Sequence, residues 1–248
     1  MKATADQIHQ SLESVAVLRQ KRLGNPQLAA ADAAIKRFQA LRFQGTYPDL
    51  LQSPRYKTAA RFFLYELYSD KDYTQRDQQF ARIASTISKL FPQSVVNTAA
   101  KLAEVHALTE QLDDAMALQY LASLTDSPAL SDVARYIACW RLAAESSARH
   151  MQLSSVLALG QSLDSLARQP GLRTLLRMMR GPAGVAGLGA LQIFLETGFD
   201  AFQTMRGADE FLRLISERET HWIKCLFEDD EVACETQLTE LLAGAQSA

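Results

Sequence analysis

Apolar residues recur at three- and four-residue intervals along nearly the whole chain, a spacing that buries a stripe only on a helix. Ile8, Leu12, Val15 and Leu18 share one face, and Gly24-Asn25-Pro26 then punctuates the chain. A second helix opens near Pro26, carries Leu28, Ile35, Phe38 and Leu41, and ends before Gly45-Thr46-Tyr47-Pro48. Ser53-Pro54 has the form of an N-cap with Pro at the first helical position, opening a third helix to about Tyr68. Thr74-Gln75-Arg76-Asp77 resembles a capping box with Asp in place of Glu, followed by Phe80, Ile83, Ile87 and Leu90. Phe91-Pro92 closes that segment, and Ser94 to Leu124 forms one helix or two, with Asp113-Asp114 as the weak place.

Thr125-Asp126-Ser127-Pro128 is the candidate junction between halves. Beyond it, Ser131 caps a helix with Val133, Tyr136, Ile137, Trp140 and Ala144, and another runs through Leu153, Val156, Leu157, Leu163 and Leu166 to Gln169-Pro170-Gly171. A Gly/Ala-rich helix follows Gly181-Pro182 and ends near Met205, then come a helix with Phe211, Ile215 and Trp222 and an acidic one with Leu238, Leu241 and Leu242. No run alternates with period two between turn signals. The expected fold is all-α, a bundle of roughly ten helices. It is read as one domain over 1–248, with possible sub-bundles 1–126 and 129–248.

Composition narrows the function. At 48% hydrophobic residues, 11 Gly and 7 Pro, the chain is neither disordered nor collagen-like. A net charge of −2 argues against a dedicated nucleic-acid binder. No apolar run approaches the ~18 residues of a transmembrane helix, and Met1 to Gln20 lacks an export h-region. Cys139, Cys225 and Cys234 are an odd set outside any CxxC, which reads as reduced thiols in a cytoplasmic protein. Charge is also polarised. Lys2, Arg19, Lys21, Arg22, Lys36, Arg37 and Arg42 outnumber the acids before Phe43, whereas twelve Asp or Glu between Glu196 and Glu240, including Glu228 to Glu231, face four basic residues. Either the ends attract one another, within the molecule or in a partner, or these are solvated helix faces.

The segment Phe62-Phe63-Leu64-Tyr65-Glu66-Leu67-Tyr68 surrounds a helix with apolar side chains, as expected of a central helix. A Glu66 carboxylate buried there needs a basic or N–H partner, so its removal is expected to destabilise the fold; a site carboxylate is the other reading. This FFLYELY run closely resembles the motif of the bacterial FFLEELY-motif proteins, and Asp72-Tyr73-Thr74-Gln75-Arg76-Asp77 is similar to the polar turn that follows it there. Tyr65 stands where that motif has its first Glu, and Glu66 matches the second. The resemblance implies a bacterial all-helical protein of similar length and names no activity.

Arg173, Arg177 and Arg180 form a stripe at i, i+4 and i+7, and residues 181–195 carry no charge but contain Gly181, Gly184, Gly187 and Gly189. Close helix packing, an anion site or contact with a lipid surface each fits this pattern. No P-loop, GxGxxG, GxSxG, HExxH, Glu-x-x-His or CxxCH is present. His106, between Val105 and Leu108, is the one histidine placed as a haem ligand in a helical fold, or else as a hydrogen-bonded core histidine. Glu217 and His221 share a face as an acid–base pair or as a surface pair.

The expectation is a non-catalytic protein that binds a protein partner or itself, with no cofactor. The alternative is a helical pocket for an anionic or lipid-like ligand near Glu66, Arg173, Arg177 and Arg180, or for haem at His106.

Overall fold

The computed structural model of the chain describes residues 2–66 and 71–246. Leu67 and Tyr68 of the motif, Ser69 and Asp70 after it, and the side chains of Lys2 and Leu90 lie outside the described residues. Among the described residues there are thirteen helices and no strand. They are α1 (Lys2–Leu23), α2 (Pro26–Thr46), α3 (Pro48–Gln52), α4 (Lys57–Glu66), α5 (Thr74–Leu90), α6 (Gln93–Asp126), α7 (Asp132–Ala143), α8 (Ser146–Ala167), α9 (Leu172–Met178), α10 (Arg180–Val185), α11 (Gly189–Met205), α12 (Asp209–Phe227) and α13 (Glu231–Gln246).

Several boundaries follow from local chemistry. Asn25 accepts the Leu28 N–H at 3.1 Å with Pro26 opening α2, and Ser131 accepts the Ala134 N–H at 3.0 Å. Other boundaries differ from the sequence reading. Pro48 starts a separate short α3, and Ser53 Oγ accepts the Arg55 and Tyr56 N–H groups in a turn that delays α4 to Lys57. At α5 the N-cap position is Tyr73, whose side chain caps nothing; Asp72 before it accepts the Thr74 N–H at 2.8 Å, while Asp77 turns inward. The Gly-rich segment is not one helix. Gly187, at φ 65°, breaks it between α10 and α11, and Arg82 donates to the Ala186 and Gly187 carbonyls at 2.8 Å each. Those interruptions raise the count above ten.

The long α6 runs unbroken through Asp113-Asp114 because neither carboxylate competes for its backbone. Asp113 accepts from Gln39 Nε2 at 2.9 Å, and Asp114 pairs with Lys21 at 2.7 Å.

Three principal apolar cores hold the helices together, and each draws on residues from both sides of 125–128. The first joins Phe62 and Phe63 of α4 to Phe194 and Phe202 of α11 and Phe211 of α12. A Cβ on Gly198 would sit 3.0 Å from Phe62 Cζ, so the absent side chain lets α4 close on α11. The second contains Ile35, Met116, Tyr136, Trp140, Trp222 and Leu238, and the third Ile8, Leu12, Phe80, Ile87, Val96 and Leu191. At Gly45, α2 meets α13 so closely that a Cβ would lie 2.7 Å from the Leu241 carbonyl.

The motif helix is not apolar all round. Phe62, Phe63 and Leu64 are buried, but Arg61 and Tyr65, one turn apart, face solvent together.

Candidate functional site

The charged residues sort into a buried network through the middle of the bundle and a separate surface on α9 to α11. In the network, α2 and α6 face each other with complementary stripes. Arg22 meets Asp32 at 2.9 Å and also Glu110, and Lys36 meets Glu110 at 2.8 Å and Asp32 at 3.3 Å. Burial works against ionising Glu110, but Lys36 and Arg22 outweigh it and hold its carboxyl down to about 2. Further along α2, Arg42 donates to Glu219 of α12 at 2.8 Å, and Tyr47 O–H donates to the other oxygen of the same carboxylate at 2.7 Å.

These groups border a cavity of about 40 Å³ lined by Gln39, Arg42, Asp113, Trp140, Arg149 and Glu219. The Arg149 guanidinium lies 4.1 Å from the Trp140 ring centre. Burial is the main influence on Asp113 and pushes its acid up to about 6, despite the nearby Lys36. The space suits one or two waters and not a substrate. A larger hollow of about 230 Å³, lined by Phe38, Leu41, Tyr120 and Tyr136, is below the usual size of a small-molecule pocket.

Of the opposed charges at the two ends, Arg42 and Glu219 meet as a buried pair. Arg19, Lys21, Arg22 and Lys36 instead find acids on α2, α5 and α6. Beside the acidic turn, Arg141 donates to the Leu226 and Asp229 carbonyls at 2.7 and 2.9 Å.

His106 joins this wiring. Its Nε2 is 3.0 Å from Asp77 Oδ2, and Arg19 reaches the same carboxylate at 2.9 Å. Burial opposes the Asp77 charge, yet the His106 hydrogen bond and the His106 and Arg76 charges hold that carboxyl well below its ordinary range. With Nε2 turned to Asp77, the geometry favours the hydrogen-bonded histidine over the haem ligand. Among the described residues, no group of three or more His, Cys, Asp or Glu is placed to hold a metal ion.

Glu66 is not the buried carboxylate expected from the motif. Its side chain is 27% exposed and pairs with Lys71 at 3.1 Å. A half-exposed pair of this kind contributes at most about 1 kcal/mol, so the large destabilisation expected of a buried Glu66 does not follow. Among the described residues no ion pair joins Glu66 to the three arginines.

Those arginines do share one surface, but most of their charge is spent locally. Arg173 pairs with Asp200 at 2.9 Å, and Arg180 Nε donates to Glu196 at 2.7 Å. The Arg180 hydrogen bond, followed by that of Gln192, holds the Glu196 carboxyl down to about 2. Arg177 is exposed beside them. The same three helices leave apolar side chains in water: Met178 of α9 is 71% exposed, Val185 of α10 94% and Ile193 of α11 69%. Gly181, Gly184 and Gly189 open onto free space, so they do not serve helix packing within the chain.

No helix among the described residues is long and apolar enough to cross a membrane. No curated protein matches the chain, and no solved structure does. Residues 18–233 match the family described as "Domain of unknown function (DUF8198)", an extent that takes in α2 to α12 and the buried network between them. The chain therefore belongs to the DUF8198 family.

Proposed function

We propose that this protein works by binding and not by catalysis, and that the α9–α11 surface docks a second copy of the chain. The observation that carries the reading is the exposure of Met178, Val185 and Ile193 around residues 181–195, which bear no charge. Several large apolar side chains left in water on neighbouring helices mark an interaction site more often than a bare surface. The occupant follows from the charge pattern. Asp200 and Glu196 offset Arg173 and Arg180, so the surface carries both signs and does not repel its own image. A twofold contact between identical patches can then bury the apolar residues while opposing Arg177 of one copy to the acids of the other. Within the family, the FFLYELY segment supports placing the chain with FFLEELY-motif proteins, its Phe62 and Phe63 serving as the packing post behind α11.

Sedimentation equilibrium over a concentration series tests this. Wild-type protein is expected to show a monomer–dimer equilibrium, and Val185→Asp, at an exposed position that leaves the fold intact, is expected to weaken it about tenfold or more. A wild-type protein that stays monomeric, or a variant that dimerises equally well, overturns the proposal. Monomeric wild type that co-sediments with phosphatidylserine vesicles overturns it in favour of a lipid surface.

A further inference from the structure

The sequence presents three separated cysteines, but the fold brings two of them together. Cys225 lies in the last turn of α12 and Cys234 in the first turn of α13, with their Sγ atoms 2.6 Å apart and both side chains fully buried. The approach is held from several sides. Arg141 fastens the connecting turn through the Leu226 and Asp229 carbonyls, and Asp230 Oδ1 accepts the Val232 and Ala233 N–H groups at 3.1 Å each, capping α13. Trp222, Leu226 and Leu238 pack in the same core. The third thiol, Cys139, is buried as well.

We propose that Cys225 and Cys234 are a modification site, forming an intramolecular disulfide that fastens α13 to α12. The oxidant is a peroxide. One thiol attacks the peroxide, breaking its O–O bond to give a sulfenic acid and water; the second thiol displaces the sulfenic oxygen as a further water and forms the S–S bond. The two sulfurs together lose two electrons and their two protons, and the peroxide is reduced.

Burial sets when this happens. It is the main cause pushing the Cys234 thiol up to about 12, so the closed fold holds little reactive thiolate. Reaction therefore belongs to moments when the α12–α13 turn opens, and the refolded core afterwards shields the bond from reductants. The bond would constrain α13, which otherwise packs mainly on α2 and α7.

The test uses the full chain treated with hydrogen peroxide, followed by intact mass, thiol titration in denaturant and thermal melting. The expected result is a mass lower by two hydrogens, a fall from three titratable thiols to one, and a midpoint raised by roughly 5–10 °C. Cys139→Ser should leave the loss of two hydrogens unchanged, whereas Cys225→Ser and Cys234→Ser should each abolish it. Persistence of three thiols in the wild type, a bond that includes Cys139, or sulfinic acid formation without a crosslink overturns the proposal. Because α9 to α11 play no part in the chemistry, this result is independent of the oligomeric state.

Discussion

Replacing Glu219 with alanine is expected to lower the unfolding free energy by about 3–5 kcal/mol, the scale for breaking a buried ion pair from one side. Glu219 accepts from Arg42 and from the Tyr47 hydroxyl, and all three side chains are buried. Truncation leaves a guanidinium charge and a phenol hydroxyl without their acceptor in a site with room for little water. Urea denaturation followed by circular dichroism measures the effect. Glu219→Gln, which keeps an acceptor for Tyr47 but removes the charge, should fall between wild type and alanine. A loss below about 1 kcal/mol in the alanine variant would show that the pair does not brace α2 against α12.

The second large effect has the opposite sign. The Asp113 acid is raised from 3.8 to about 6, so above pH 6 it is ionised in both folded and unfolded chains, and the folded chain bears the cost of a buried charge. Below 3.8 it is protonated in both states and that cost vanishes. The Asp113 contribution to stability therefore improves as pH falls from 7 towards 4. Glu110 runs the other way: its depressed acid stabilises above 4.5 and loses that effect as pH falls towards 2. Asp113→Asn leaves the Glu110 effect in place while removing the Asp113 titration, so the difference between variant and wild type isolates residue 113. The variant is expected to be more stable by about 3 kcal/mol at pH 7–8, with the gap closing by pH 4. A gap independent of pH would contradict the assignment.

Much of the fold was legible because helices are local. Spacing at Ile8, Leu12 and Val15 marks a buried face, Pro26 marks the start of α2, and Ser131 announces α7 through a short-range hydrogen bond. What escaped the sequence reading depends on partners distant in the chain. Asp77 looked like a capping residue, but His106 and Arg19 draw it inward. Glu66 looked buried among aromatics, but its face of α4 ends at solvent beside Lys71. Asp113-Asp114 is the weak place of a segment that reads as one helix or two, whereas Asp113 accepts from Gln39 and one Asp114 oxygen pairs with Lys21 without either breaking α6.

A signal for the buried network was present. Asp32, Lys36 and Gln39 fall on one face of α2, as do Glu110, Asp113 and Asp114 on α6, and two polar stripes on otherwise apolar helices are best satisfied by facing each other. The Arg42–Glu219 pair has no such local trace, being 177 residues apart. The spacing of Arg173, Arg177 and Arg180 marks them as a group, and two of them find acids on α11. Their pairing with Glu196 and Asp200 depends on how α11 lies against α9 and α10, which the spacing does not encode.

The proposed docking of a second copy on residues 175–195 makes a prediction that can be read peptide by peptide. Hydrogen–deuterium exchange at low and high protein concentration tests it most directly. The account predicts that raising the concentration slows exchange in peptides covering 175–195, leaves the α12–α13 turn unchanged, and has no such effect in Val185→Asp. Slowed exchange confined to other helices, or none at concentrations where the wild type is dimeric, would contradict it.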